Sequence, residues 1–232
     1  MIKEVEQLRG KDKSVLIVGA TGLVGSECVR QFGAHPSFER VVILARRPLP
    51  PEARSPKVHE HVVEFDSLKD HASRFSVTHV LSALGTTIRS AGSQSRFREV
   101  DHDYVVAAAR LGAEQGARHF LLVSSLGADP ASRVFYSRVK GETEAAVAAL
   151  SYRCVTIVRP SLLLGERSEF RLGEVLTKPL AFLAPAKYRP VHARDVAGAL
   201  LQAAVADQPG TRIIESREIR GLARSIGKAA VA

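Results

Sequence analysis

The sequence predicts an α/β fold: a doubly wound, mostly parallel sheet with a small cap inserted towards the C-terminal end. Three observations carry that prediction. Short runs of Val, Leu and Ile recur along the chain, as strands buried on both faces of a parallel sheet require. Stretches with helical spacing separate those runs. A glycine turn, Gly19-Ala20-Thr21-Gly22-Leu23-Val24-Gly25, joins the first run to the first such stretch. At 232 residues and 45% hydrophobic content the chain suits one domain, 1–232, with the cap insertion around 160–190.

Residues 1–13 read as a polar leader, and 14–18 as a strand. A helix over 23–34 turns Leu23, Val24, Cys28 and Phe32 inward. Strand, tight turn and helix begin a βαβ unit whose turn N–H groups and helix N-terminus make a pocket for a pyrophosphate. Gly19 permits the turn, Gly22 lets the backbone approach phosphates, and Gly25 lets the helix pack closely on the strand. Gly25-Ser26-Glu27 lacks the lysine of a nucleotide-hydrolysing P-loop, which sets that alternative aside.

The second strand, 41–45, ends at Arg46-Arg47-Pro48. NAD-binding folds of this kind place an acidic residue about 20 positions past the glycine loop to hold the ribose 2′-hydroxyl. Two arginines stand there instead, and two cations suit a 2′-phosphate. The plainer alternative is a basic loop beside Pro48-Leu49-Pro50-Pro51.

A third strand over 58–65 closes on Asp66-Ser67, a polar pair able to meet an adenine amino group or to cap a helix from Leu68. His59 and His61 share a strand face, but without Cys or carboxylate at ligand spacing no metal is expected. The fourth strand, 78–84, leads into Gly85-Thr86-Thr87, small residues at a carboxyl end where a ligand would lie. Residues 88–98 are polar and read as mobile, and 99–116 read as one Ala-rich helix ended by Gly116.

The fifth strand, 119–123, delivers Ser124-Ser125-Leu126-Gly127 to the same edge. Eleven residues beyond Ser125 comes Tyr136, and Lys140 four residues later shares its helix face. A Tyr-x-x-x-Lys alone is common surface decoration; following a Ser-bearing strand end in such a sheet, it reads as catalytic. A sixth strand over 152–159 precedes Pro160-Ser161-Leu162-Leu163-Leu164-Gly165. Residues 166–190 break the alternation and carry Arg167, Arg171, Lys178, Lys187 and Arg189, as a cap over the site would. An Ala-rich helix ending near Ala206, a strand over 211–215 and a final helix complete the chain.

The net charge of +9 raises nucleic acid, acidic membrane or a phosphorylated ligand as partners. Aromatics at 6%, no Trp and scattered Lys and Arg speak against nucleic acid. A solvated basic surface around an anionic cofactor is the reading that remains, with a small-molecule substrate. No apolar run reaches the roughly 18 residues of a membrane span. The start has no signal-peptide core, and Cys28 and Cys154 look like small core residues, so a reducing cytoplasm is expected.

These motifs resemble the short-chain dehydrogenase/reductase superfamily in its atypical branch, and within it the Tat-interacting-protein oxidoreductase family, which binds NADPH. The matching segments are Gly19-Ala20-Thr21-Gly22, Arg46-Arg47, Leu84-Gly85-Thr86-Thr87, Val100-Asp101-His102-Asp103-Tyr104, Ser124-Ser125-Leu126-Gly127-Ala128-Asp129 and Tyr136-Ser137-Arg138-Val139-Lys140-Gly141-Glu142. Arg159-Pro160 and Arg171-Leu172-Gly173-Glu174 extend the likeness. The resemblance implies a Rossmann-like fold with NADP(H) as cofactor. Thr21, Gly22, Leu23 and Val24 would hold the pyrophosphate, Arg46 and Arg47 the 2′-phosphate, and Leu84 and Gly85 the adenosine ribose and diphosphate. Tyr136 would be the proton donor, and Lys140 would bind the nicotinamide ribose and lower the tyrosine pKa. Leu163 and Arg171 would meet the nicotinamide half and phosphates. Ser125, or its neighbour Ser124, would polarise the substrate carbonyl, Ser125 being favoured by its place beside Leu126-Gly127.

Epimerases and sugar dehydratases of the wider superfamily carry a larger C-terminal substrate domain, whereas only residues 160–190 are available here. Three functional readings follow. The first is an NADPH-dependent oxidoreductase acting on a small carbonyl or quinone-like substrate, which the intact Tyr136/Lys140 pair favours. The second is an NADPH-binding regulator of a protein partner with vestigial catalysis, and the third a reduced nucleotide-sugar epimerase.

Overall fold

Side chains in the first strand alternate strictly. Val15 and Ile17 enter one apolar cluster and Leu16 and Val18 another, one on each face of the sheet. A strand with no polar face must be covered on both sides, and the chain winds helices over each. The computed structural model describes residues 13–53, 55–164 and 189–229, with side chains described as far as 222.

Seven parallel strands form the sheet: β1 (Lys13–Val18), β2 (Phe38–Ala45), β3 (Val58–Val62), β4 (His79–Ser82), β5 (His119–Val123), β6 (Cys154–Arg159) and β9 (Gly210–Glu215). Their spatial order is β3-β2-β1-β4-β5-β6-β9. The order reverses between β1 and β4, and a crevice at such a point, outside the carboxyl ends, is where open parallel sheets bind ligands. A short parallel pair, β7 (Leu163–Leu164) and β8 (Val191–His192), stands apart.

Cys28 and Phe32 of α1 (Leu23–Ala34), Val196 and Leu200 of α6 (Ala193–Ala206) and Ile219 of α7 (Ser216–Ala229) cover one face. On the other lie Val105, Ala108 and Ala109 of α4 (Tyr104–Glu114), Val147 of α5 (Phe135–Ala148), and Phe65 and Phe75 of a 3-10 segment, Phe65–Phe75. Cys28 and Cys154 are both buried thiols, and burial drives the Cys28 pKa up.

Several expected boundaries move, three of them near the site. The third strand stops at Val62, and Asp66 falls in the 3-10 segment, whose N-cap is Glu64. Residues 88–98 form two short helices, α2 (Ile88–Ala91) and α3 (Gln94–Arg98). The Thr87 and Ser93 hydroxyls cap them, accepting from Ser90 N at 3.0 Å and Arg96 N at 3.1 Å. Phe97, completely buried, packs its ring 5.8 Å from Phe135 and 5.4 Å from Tyr136, so the polar segment is anchored rather than mobile. The helix expected over 99–116 begins with a π turn, Glu99–Asp103, continuous with α3 before it and α4 after it. Most of the expected cap, 165–188, lies outside the described residues.

Candidate active site

At the carboxyl end of β1 the chain reverses through Gly19, whose φ is +83°. A Cβ there would lie 2.4 Å from the Ala83 carbonyl carbon, because β4 runs alongside. One turn into α1, a Cβ on Gly25 would lie 2.0 Å from the Gly19 carbonyl oxygen. These two glycines bring strand and helix together more closely than any side chain would allow. Gly22 is the N-cap residue of α1 and supplies no side-chain cap to the first-turn N–H groups. Uncapped donors and the helix dipole together suit an anion. Thr21, Leu23 and Val24 complete the turn, Val24 buried and the other two half-buried.

The register pairs Val18 with Leu44, so Arg46 and Arg47 emerge just beyond the level of the glycine turn, both exposed to solvent. On the other flank Val18 pairs with Ser82, which sets Leu84, Gly85 and Thr86 against the same turn. Leu84 is half-buried against the core, and Gly85 is exposed. Asp66 does not stand free: its carboxylate accepts the hydroxyl of Tyr104, which also takes a hydrogen bond from Arg96 Nη1 at 3.1 Å. Burial and the bond to Asp66 push the Tyr104 pKa up to about 12. Leu163 is half-buried in β7 and touches the core from the far side. Arg171 lies outside the described residues.

Directly beneath Gly85 lies a buried ion pair. A Cβ on Gly85 would be 3.7 Å from Asp101 Oδ1 and 3.9 Å from Lys140 Nζ. The two charged groups are 2.8 Å apart, with side chains 0% and 7% exposed. Asp101 Oδ2 accepts the Thr86 N–H at 2.8 Å. Burial acts against the charge of Lys140, but Asp101, then Tyr136 and Glu144, outweigh it and raise the pKa above the ordinary lysine value. Tyr136, one helical turn before Lys140, is half-buried against Phe97.

The two serines after β5 have different surroundings. Ser124 is buried and donates to Glu144 Oε1, while Arg159 grips the same carboxylate through Nε at 3.0 Å and Nη2 at 2.5 Å. Ser125 is half-buried, and among the described residues its hydroxyl meets the neighbouring Leu126 carbonyl alone, at 3.2 Å. Hence Gly85, Thr86, Asp101 and Lys140 meet by direct contact, Tyr136 stands one helical turn before Lys140, and the glycine turn and both arginines lie along the same edge. Reasoning from sequence placed Asp101 in a segment shared with the resembled family but gave it no role, because its partner Lys140 lies on a distant helix.

The opposite edge carries another unforeseen cluster. His79 Nε2 and His119 Nδ1 each lie 2.9 Å from Asp207 Oδ1, three potential ligand atoms within 4.8 Å of one another. His59 and His61, the pair visible in sequence, take no part, and His61 meets Arg74 instead. Asp207 also holds Lys13 at 3.0 Å and Arg118 at 2.9 Å. Two cations already on its second oxygen make the cluster a charge-compensated clasp, ill suited to a further cation.

Residues 19–207 match a family of domains described as NAD(P)H-binding. Protein HTATIP2 of Rattus norvegicus is 38% identical over 180 residues, 77% of this chain and 74% of that protein. The chain belongs to this family. It is an atypical member of the short-chain dehydrogenase/reductase group, similar to HTATIP2. The mitochondrial protein FMP52 of Eremothecium gossypii is 33% identical over 221 residues, covering 91% of this chain and 97% of that one. Among solved structures, MoeE5 in complex with UDP-glucose and NAD superposes with a TM-score of 0.66 at 18% identity, over 92% of this chain and 82% of that one. That likeness bears out the Rossmann-like fold class. One expectation falls: FMP52 relatives from Eremothecium gossypii, Candida albicans and Saccharomyces cerevisiae are named as mitochondrial, against the cytoplasmic location expected from the two core-like cysteines and the chain's start. Among the described residues no helix is long and apolar enough to cross a membrane.

Proposed function

We propose that this member of the NAD(P)H-binding family is an NADPH-dependent oxidoreductase that reduces a small carbonyl or quinone-like substrate. The buried Lys140 ammonium, one helical turn from Tyr136 and directly under Gly85 at the carboxyl edge, carries the reading. A charged lysine kept there against its desolvation has a use beside a phenol and a sugar hydroxyl.

The cradle fits the cofactor. Gly19 and Gly25 clear space that a Cβ would fill, the uncapped start of α1 with Thr21, Gly22, Leu23 and Val24 suits a pyrophosphate, and exposed Arg46 and Arg47 suit a 2′-phosphate. Leu84, Gly85, Thr86 and Leu163 would line its path, and Asp66 its adenine end. Bound NADPH would supply the hydride. Tyr136 would give its hydroxyl proton to the substrate oxygen, and Lys140 would orient Tyr136 and the ribose. Ser125 would donate to the same oxygen, since Ser124 is already bound to Glu144. In this reading the chain is one domain.

A screen of carbonyls and quinones for NADPH oxidation tests the proposal. Turnover that disappears in Tyr136→Phe is the expected result. Tight NADPH binding with no turnover across the panel would replace it with the regulatory reading.

A further inference from the structure

We propose that Asp101 is a positioning residue: it holds the Lys140 ammonium beneath Gly85, offsets its charge, and thereby sets the acidity of Tyr136. The inference rests on the reading of Tyr136 as proton donor.

The carboxylate has no freedom to turn away. Its Oδ2 is held by the Thr86 N–H at 2.8 Å, leaving Oδ1 facing Lys140 Nζ at 2.8 Å. The backbone of Asp101 is held as well, by Thr143 Oγ1 donating to its carbonyl at 3.0 Å from the helix that carries Lys140. Asp101 lies within the π turn, between α3 and α4. A single π turn re-aims the side chains of a helix, and such turns concentrate at functional sites.

The charged and titratable groups facing Lys140 are few. Asp101 comes from the π turn, and Tyr136 and Glu144 come from its own helix. Glu144 is neutralised by Arg159 of β6, and the turn after β4 contributes the backbone around Gly85 and Thr86. Asp101 is therefore the one direct counter-charge to Lys140 among the described residues. A lone buried ammonium beside a phenol stabilises phenolate strongly; an ammonium paired with a carboxylate presents only a dipole. With Asp101 in place the lysine presents its charge already paired; without Asp101 that charge is uncompensated and the lysine loses its anchor.

Tyrosinate absorbance tests this without substrate or cofactor. The chain has no Trp and four Tyr, and subtracting the titration of a Tyr136→Phe version of each protein isolates the Tyr136 phenol. Asp101→Asn is expected to lower its pKa by about 1–2 units, and Lys140→Met to raise it by a similar amount. A residue with a merely structural role would not move the phenol in opposite senses through the two substitutions. Should Asp101→Asn fail to fold, the pair Lys140→Met and Lys140→Met/Asp101→Asn decides, the second titrating lower than the first. A Tyr136 pKa unmoved or raised by removal of Asp101 overturns the proposal. Absence of turnover in the carbonyl and quinone screen would instead overturn the functional reading, leaving the titration result to stand.

Discussion

Ser124 donates its hydroxyl to Glu144, a buried carboxylate that Arg159 grips from the other side. The two adjacent serines therefore separate by experiment. Ser124→Ala should cost about 1–3 kcal/mol of stability by leaving a buried acceptor short of a donor, with turnover retained in the folded fraction. Ser125→Ala should leave the melting temperature unchanged and lower turnover by roughly 10²–10³-fold, as loss of an oxyanion donor does. Thermal melts beside steady-state kinetics read both, and the reverse pattern would exchange the roles.

Arg46 and Arg47 stand exposed at the end of β2. Each charge-assisted bond to a 2′-phosphate is worth roughly 1.5–3 kcal/mol. Replacing both with Ala should weaken NADPH binding by at least about tenfold and leave NADH binding little changed. Calorimetric titration of each variant with both cofactors measures this; equal losses for the two would remove the arginines from the phosphate site.

Tyr136→Phe keeps the ring against Phe97 and removes only the hydroxyl. Loss of a general acid should lower turnover by roughly 10²–10⁴-fold with NADPH affinity nearly unchanged. Lys140→Ala should damage both. A Tyr136→Phe enzyme retaining more than about a tenth of its turnover, against that range, would point to another proton donor.

The clasp around Asp207 gives the fold an acid limit. Burial alone would raise the Asp207 pKa, but hydrogen bonds from His119, His79 and Lys13 prevail and hold it far below the ordinary carboxylate range. The His79 pKa is also lowered, by burial, from its ordinary 6.5. For both groups the unfolded chain binds more protons, so stability falls with pH, first as it drops through 6.5 and then below the ordinary 3.8 of Asp207. Asp207→Asn should cost about 3–5 kcal/mol, because it leaves Lys13 buried without its counter-charge, and should flatten the acid limb. Urea unfolding from pH 2 to 8 measures both, and an unaltered slope below the ordinary 3.8 of Asp207 would assign the limit elsewhere.

How much of this was legible depended on the range of the interaction. Period and punctuation reveal local structure, and α1, β5 and the end of α6 at Ala206 fall where hydrophobic spacing puts them. The 88–98 segment misled because its composition is polar while one residue, Phe97, fixes it in place. Its Thr87 and Ser93 caps were readable and went unused. The pairing of Asp101 with Lys140, and of His79 and His119 with Asp207, was not legible, although Asp101 and Lys140 each stand in a segment shared with the resembled family. Each joins elements whose proximity follows from strand order and register: His79 faces His119 only because β4 and β5 pair directly at those two positions.

The β7–β8 ladder has a consequence for how the substrate end of the protein could diversify. Leu163 pairs with Val191 and Leu164 with His192, while Ser161 Oγ holds the Arg189 carbonyl at 2.5 Å. The two ends of segment 165–188 are thus stapled to a common stem, whatever lies between them. Loop-closure entropy grows only logarithmically, about 0.6 kcal/mol for each doubling of length. Exchange of the segment for one of different length or composition should therefore tax the scaffold lightly. The stem works as a socket, into which lineages or engineers can fit segments of different length while the seven-stranded scaffold stays as it is.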